Sequence, residues 1–236
     1  MLPDKRIVAR NFGAHAANYN ENSRLQRRVG FELIPRAKNF SGKVLDIGAG
    51  IGFIAQNTDL DLTQIDISEE MCKLNGNAIC ADAENLPFED NSFDNVISSL
   101  TFQWLDDIKA SAEVFRVLKK GGRFVIATFG AASLHELKSA GGNAIEFGSS
   151  MKYFAAFKKA GFDKINIESQ KIVYLHDNIY ELLRSIKDIG ASYPFGKGLK
   201  TKRHFERLEN IYRNKFAKDG KLPASWEVLF ISGVKK

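Results

Sequence analysis

The stretch Val44-Leu45-Asp46-Ile47-Gly48-Ala49-Gly50-Ile51-Gly52 constrains this chain more than any other. An apolar run ends in an acid and then gives way to three glycines at alternate positions. Glycine adopts positive φ at little cost and carries no Cβ to hold a ligand off the backbone. A buried strand leading into such a loop marks the crevice of an open parallel sheet, where ligands sit beyond the carboxyl ends of the strands. The spacing argues against two common ligand loops. A P-loop requires G-x-x-x-x-G-K-[ST], and no Lys-Ser/Thr pair follows. The dinucleotide fingerprint G-x-G-x-x-G requires glycine at 53, where this chain has Phe53.

The surrounding pattern alternates strands with helices. Residues 5–38 read as helical, with Leu25, Val29 and Leu33 at helical spacing. Strands are expected at 43–47, 62–67, 78–81, 93–99 and 123–129. Between them lie helices at 53–56, from the N-cap Ser68 to about 75, and over 106–118, the last ending at Gly121-Gly122. This order predicts a parallel sheet with right-handed crossovers. Later helices are expected at 133–139, 150–160, 178–189 and 201–217, with strands at 162–167, 171–174 and 226–234.

Five features in order resemble the motifs of class I methyltransferases. The first is the loop itself, Asp46, Gly48, Ala49, Gly50 and Gly52. Asp66, followed by Ile67, ends the second strand. Asp82-Ala83-Glu84-Asn85-Leu86-Pro87-Phe88 follows the third. Phe93-Asp94 opens the fourth, and Glu113-Val114-Phe115-Arg116-Val117-Leu118-Lys119-Lys120-Gly121-Gly122 follows it, with Lys120 where the family usually has proline. The resemblance implies a Rossmann-like α/β fold with a mostly parallel seven-stranded sheet, helices on both faces and S-adenosyl-L-methionine as methyl donor. It implies that the loop lies along the methionine part, Asp66 accepts from the ribose hydroxyls, Asp82 meets the adenine amine, and Ala83 and Leu86 flank the ring. Ile67 and Ser98 complete the expected cofactor set, and S-adenosylhomocysteine would be the product.

A narrower resemblance runs through nearly the whole chain. It rests on Phe12, Ala16, Tyr19 and Leu25-Gln26, on Ser98-Ser99-Leu100-Thr101-Phe102-Gln103-Trp104, on Ala127-Thr128-Phe129 with Ser133-Leu134-His135-Glu136-Leu137, and on Ile186-Lys187-Asp188-Ile189-Gly190-Ala191. Together these are similar to the malonyl-[acyl-carrier protein] O-methyltransferases of biotin synthesis. The resemblance implies methyl transfer to the free carboxylate of a malonyl thioester on acyl carrier protein or coenzyme A. That carboxylate is already ionised at neutral pH, so no acid–base residue is nominated. Tyr19, Gln103 and Trp104 are the acceptor-pocket candidates. The family pattern suggests a cation just before the phenylalanine of the segment after the fifth strand, but this chain has Glu146-Phe147. The acceptor's counter-charge would then come from Lys138, Lys152, Arg184 or Lys187. Three other readings stand beside this one: a relative of the respiratory complex I assembly factor that modifies a partner protein, a methyltransferase for another small acceptor such as a phenol, and a non-catalytic cofactor-binding module.

The resemblance implies one methyltransferase domain over 1–236. It comprises an N-terminal helical segment (5–38), a Rossmann-like core (40–174 and 223–236) and a helical cap insertion (175–222). Between 196 and 221 nine Lys and Arg face three acids, within a chain of net charge +6. Such a surface suits an acidic carrier protein. RNA-binding signatures are not recognisable, so no nucleic acid is expected. Two cysteines, Cys72 and Cys80, lie outside any C-x-x-C pair, so reduced thiols and no metal are expected. No apolar run reaches membrane-spanning length, and the first residues lack the apolar stretch of a secretion signal. The expectation is a cytoplasmic protein without membrane attachment, a monomer or weak dimer.

Overall fold

The structure is a computed structural model that describes residues 4–15, 24–187 and 201–236. Seven strands form one sheet: β1 (Lys43–Ile47), β2 (Asp61–Asp66), β3 (Ala78–Cys80), β4 (Phe93–Ser99), β5 (Leu118–Phe129), β6 (Phe162–His176) and β7 (Leu222–Lys235). Their spatial order is β3-β2-β1-β4-β5-β7-β6. Strands β1 to β5 pair in parallel, and β7 inserts antiparallel between β5 and β6. The order reverses between β1 and β4, which opens a crevice at their carboxyl ends. This is the Rossmann-like class I methyltransferase fold.

The inner strands β1, β4 and β5 bury both faces, as a covered parallel sheet requires. Along β5, Val125, Ala127 and Phe129 enter one core, while Phe124 and Ile126 enter the other. The first core is closed by α2 (Arg24–Leu33) and by two helices between β6 and β7, α8 (Ile179–Ile186) and α9 (Lys202–Phe216). The second is closed by α5 (Asp107–Val117) and α7 (Ser150–Ala160), where Phe157 stacks on Phe124 at 4.4 Å between ring centres. Short helices α3 (Phe53–Gln56), α4 (Glu69–Asn75) and α6 (His135–Ser139) follow β1, β2 and β5. Helix α1 (Lys5–His15) lies apart from the sheet, against α4 and the crevice.

Several boundaries differ from the sequence reading. Among the described residues, the N-terminal helical run comprises two helices and a short 3-10 turn (Ile34–Ala37) with Pro35 near its start. Proline fixes its own φ and disfavours α backbone before it, so the chain tightens there. Helix α5 stops at Val117, not at the glycine pair. Gly121 takes φ 78° and lets β5 begin early, at Leu118, with a register shift against β4. The two late strands expected at 162–167 and 171–174 are one strand, β6. Its partner β7 begins at Leu222 instead of Trp226, because each supplies the other's ladder along its length.

Candidate functional site

The glycine loop follows β1 directly. The N–H groups of Gly48 and Ala49 both donate to Ile65 O of β2, which pins the loop across two strand ends. Gly48 (φ 73°) has Thr101 so close that a Cβ would stand 2.0 Å from Thr101 Oγ1. At Gly50 (φ 53°) the reverse holds, and a Cβ would meet no atom of the described residues within 4 Å. Gly48 is therefore glycine because protein crowds it. Gly50 is glycine at an open cleft, as a close ligand approach requires.

Two cavities meet around this loop. The larger, about 730 Å³, is walled by Gly48, Gly50, Ile65, Asp66, Ile67 and Met71, by Ala81, Asp82 and Ala83, and by Ser99, Leu100, Thr101, Trp104 and Leu105. Lys5, Val8 and Phe12 of α1 close it from above, and Phe12 meets the Trp104 ring edge-on at 5.8 Å. The smaller, about 500 Å³, is walled by Asp46, Gly48, Ala49, Gly50 and Ser99, with Gln26 and Arg27 from α2.

Three carboxylates stand at three strand ends. Asp46 is 1% exposed; burial, then the nearby Asp66 charge, push its pKa up to about 7. Asp66 Oδ2 accepts from Gly50 N and Oδ1 from Ser68 N, both at 2.9 Å. Burial raises its pKa, while the Ser68 and Gly50 N–H groups pull the other way. Ser68 caps α4 as expected, its Oγ accepting from Met71 N. Asp82 Oδ1 accepts from Glu84 N at 2.9 Å and, with Oδ2, from Lys5 Nζ.

The sequence-predicted cofactor residues thus divide. Asp46, Gly48, Ala49, Gly50, Asp66, Ile67, Asp82 and Ala83 line the cleft. Gly52, Leu86 and Ser98 stand behind it. Gly52 starts α3 with φ 83°. Leu86 lies in the second core. Ser98, fully buried, donates to Ile47 O at 2.7 Å. Trp104 is a cleft wall, with its indole N–H buried and without a partner among the described residues. Gln103 is not on the wall: its amide donates to Leu100 O and accepts from Thr128 Oγ1 at 3.0 Å, which in turn meets Tyr153 Oη at 3.3 Å. Tyr19 lies outside the described residues, as do Ala16, Asp188, Ile189, Gly190 and Ala191. Among the candidate cations, Lys152 is engaged by Asp107 at 2.7 Å, and burial lowers the Lys138 pKa against the opposing pull of Glu146. Phe147 packs on Phe129 and Trp226, and Glu146 is exposed.

The post-β4 motif shapes the adjoining loop. Glu113 accepts from Leu86 N at 2.7 Å. Arg116 donates to Leu86 O at 3.0 Å, to Phe88 O at 2.6 Å and to Glu113 itself. This scaffold holds the chain after Asp82 in place. Sequence reasoning missed Lys5, Val8, Met71, Leu100 and Arg27 as wall residues. Leu100 stood within a segment that carries the resemblance, but its place on the wall was not legible, since its positive φ (53°) appears only in the fold. Among the described residues, no group of three or more His, Cys, Asp or Glu is placed to hold a metal ion, and no helix is long and apolar enough to cross a membrane.

Comparison with known proteins agrees with this geometry. Residues 45–126 match the methyltransferase domain family. Among solved structures, the chain resembles the YcgJ protein from Bacillus subtilis with TM-score 0.66 and 20% identity, covering 89% of this chain and 98% of that one. It resembles a methyltransferase from Thermotoga maritima with TM-score 0.59 and 19% identity, over 98% of this chain and 99% of that one. A malonyl-[acyl-carrier protein] O-methyltransferase of Herminiimonas arsenicoxydans is 32% identical over 98% of this chain and 96% of its own length. The bifunctional biotin biosynthesis protein BioHC of Teredinibacter turnerae is also 32% identical, and this chain spans 46% of its length. The chain is an S-adenosylmethionine-dependent methyltransferase, and it belongs to the malonyl-[acyl-carrier protein] O-methyltransferase family.

Proposed function

We propose that the protein transfers the methyl group of S-adenosylmethionine to the free carboxylate of a malonyl thioester on an acidic acyl carrier protein, an early step of biotin synthesis. The observation that carries this reading is a relative of that name, 32% identical along nearly the full length of both chains. The cleft fits the nucleoside. It offers a buried carboxylate oxygen at Asp46 that has no partner among the described residues, a backbone open to close approach at Gly50, and apolar walls at Met71, Ala83 and Leu105 for a flat ring.

When bound, S-adenosylmethionine supplies a methyl carbon made electrophilic by its sulfonium sulfur. The chain's own residues position and enclose. Asp66, fixed between the Gly50 and Ser68 N–H groups, presents its remaining lone pairs to the ribose hydroxyls. Asp82 accepts from the adenine amine, with Ala83 against the ring. Gly52, Leu86 and Ser98 support this arrangement from behind. Trp104 and Phe12 shield the reacting end from water. No side chain needs to remove a proton, because a malonyl carboxylate is ionised at neutral pH. Alignment and water exclusion supply the rate. Masking the carboxylate removes a charge that is costly to bury in the apolar sites of later enzymes.

The test is methyl transfer from labelled S-adenosylmethionine to malonyl- or acetyl-acyl carrier protein. Label on the malonyl form alone is the expected result. Equal labelling of both carriers, or of neither, would defeat the reading.

A further inference from the structure

Two polar groups buried at the glycine loop have no partner among the described residues. Asp46 Oδ2 meets no donor, and both amide atoms of Gln26, Oε1 and Nε2, are shut from solvent without a hydrogen bond. They wall the same cavity, together with Arg27 and the backbone of Gly48, Ala49 and Gly50. That cavity shares Gly48, Gly50 and Ser99 with the larger one, so the two are lobes of one cleft bent around the loop.

Native proteins seldom leave buried polar atoms unpaired, and a primary amide with neither end satisfied is costly. The unmet needs define a ligand. Asp46 Oδ2 needs a donor, best a cation. Gln26 needs an acceptor for its N–H groups and a donor for its oxygen. An ammonium and a carboxylate on a single carbon meet all three. A phosphate does not, because it would set a second anion against Asp46. The larger lobe, with Asp66, Asp82 and apolar walls, suits the nucleoside, which leaves the polar lobe for whatever the nucleoside carries at its 5′ end.

We propose that Gln26 reads the α-amino-acid end of S-adenosylmethionine. Its Nε2 donates to the α-carboxylate, and its Oε1 accepts from the α-ammonium alongside Asp46. Arg27 adds a positive charge at the same wall. This rests on the reading that the glycine-loop cleft holds this nucleoside. It makes α2 part of the donor site: the helix turns a generic nucleoside crevice into one that requires an amino acid tail. It also accounts for Gln26 among the residues that carry the family resemblance.

The experiment compares two ligands on the full chain by calorimetry: S-adenosylhomocysteine, and 5′-methylthioadenosine, which keeps the nucleoside and lacks the amino acid end. The variants are Gln26→Met, which keeps length and helix propensity, and Gln26→Glu, which keeps the oxygen and opposes the ligand carboxylate. Losing hydrogen bonds to charged groups should weaken S-adenosylhomocysteine by about tenfold or more in Gln26→Met. Gln26→Glu should lose more, and 5′-methylthioadenosine should stay within about twofold in both, as expected if it makes no contact with Gln26. Equal losses for the two ligands would mark Gln26 as a packing residue and overturn the assignment, as would unchanged S-adenosylhomocysteine affinity. A wild-type protein that binds neither ligand would sink the cofactor reading itself, and the role of Gln26 with it.

Discussion

Lys5 Nζ lies 2.9 and 2.7 Å from the two carboxylate oxygens of Asp82, and 2.7 Å from Glu84 Oε2. This links α1 to the loop after β3 and holds Val8 and Phe12 over the larger lobe of the cleft. The ammonium also occupies acceptor sites on the acid assigned to the adenine amine. The Glu84 side chain is 8% exposed and in turn accepts from Asp106 N at 2.8 Å, so the link reaches the start of α5.

Replacing Lys5 by Met should therefore loosen a lid and leave the fold intact. Lys5 and Asp82 side chains are about one-third exposed, so the pair contributes at most ~1 kcal/mol. The dissociation rate of S-adenosylhomocysteine, followed by stopped-flow fluorescence, should rise up to about fivefold, with the thermal midpoint shifted by no more than about 2 °C. An unchanged dissociation rate would mean that α1 does not retain the ligand.

Asp46 should set a pH dependence whose sign is fixed by its burial. In the unfolded chain it ionises near 3.8, and in the fold at about 7. Between those values the unfolded chain releases a proton that the fold keeps. Its contribution is thus fully present below about pH 4, falls as pH rises, and is lost above about pH 7. Asp46→Asn should accordingly be more stable than the wild type at pH 8, by about 1–3 kcal/mol in urea unfolding, and near-equal at pH 4. The same variant should bind S-adenosylhomocysteine at least about tenfold more weakly, because it removes the anion facing the ligand ammonium. Function and stability would then pull in opposite directions at one residue.

Gln103 gives a contrasting case. Its amide joins Leu100 O to Thr128 and Tyr153 in a buried network. Gln103→Ala would strand Leu100 O and leave Thr128 Oγ1 with Tyr153 Oη alone, at a cost of about 1–3 kcal/mol. Urea unfolding should show that loss while S-adenosylhomocysteine affinity stays within about threefold of wild type. A large affinity loss at full stability would return Gln103 to the cleft.

The sequence made the parallel core legible because its signals are local. A strand ending in Asp46, glycines at alternate positions and acids at two further strand ends each occupy a few residues. What it hid depends on long-range meeting. Gln26 and Lys5 reach the cleft from helices that precede the core, and no local pattern tells a cleft-facing glutamine from a solvent-facing one. Leu86 and Ser98 were legible as motif positions, yet motifs mix residues that touch ligand with residues that brace them. Arg116, bonded to Leu86 O and Phe88 O, belongs to the second kind. The boundary at Leu118 was hidden because a glycine pair after a helix ordinarily ends it, whereas here it bends a strand already begun.

The basic surface of α9 carries the last prediction. Lys202, Arg203 and Arg207 are exposed, and Lys202 has a loose partner in Glu206 at 3.8 Å. Arg213 is different: it binds Glu209, Gly220 O and Asp177 O and so ties the helix to its surroundings. Lys200 lies outside the described residues. If an acidic carrier docks on the exposed cations, Lys202→Glu/Arg203→Glu/Arg207→Glu should raise KM for malonyl-acyl carrier protein by about tenfold at low salt. The gap should narrow as salt shortens the screening length from ~30 Å at 0.01 M to ~3 Å at 1 M. The KM for malonyl-CoA, which has no carrier surface to steer, should change little. Equal carrier KM values at low salt would leave this face to solvation and move the docking surface elsewhere.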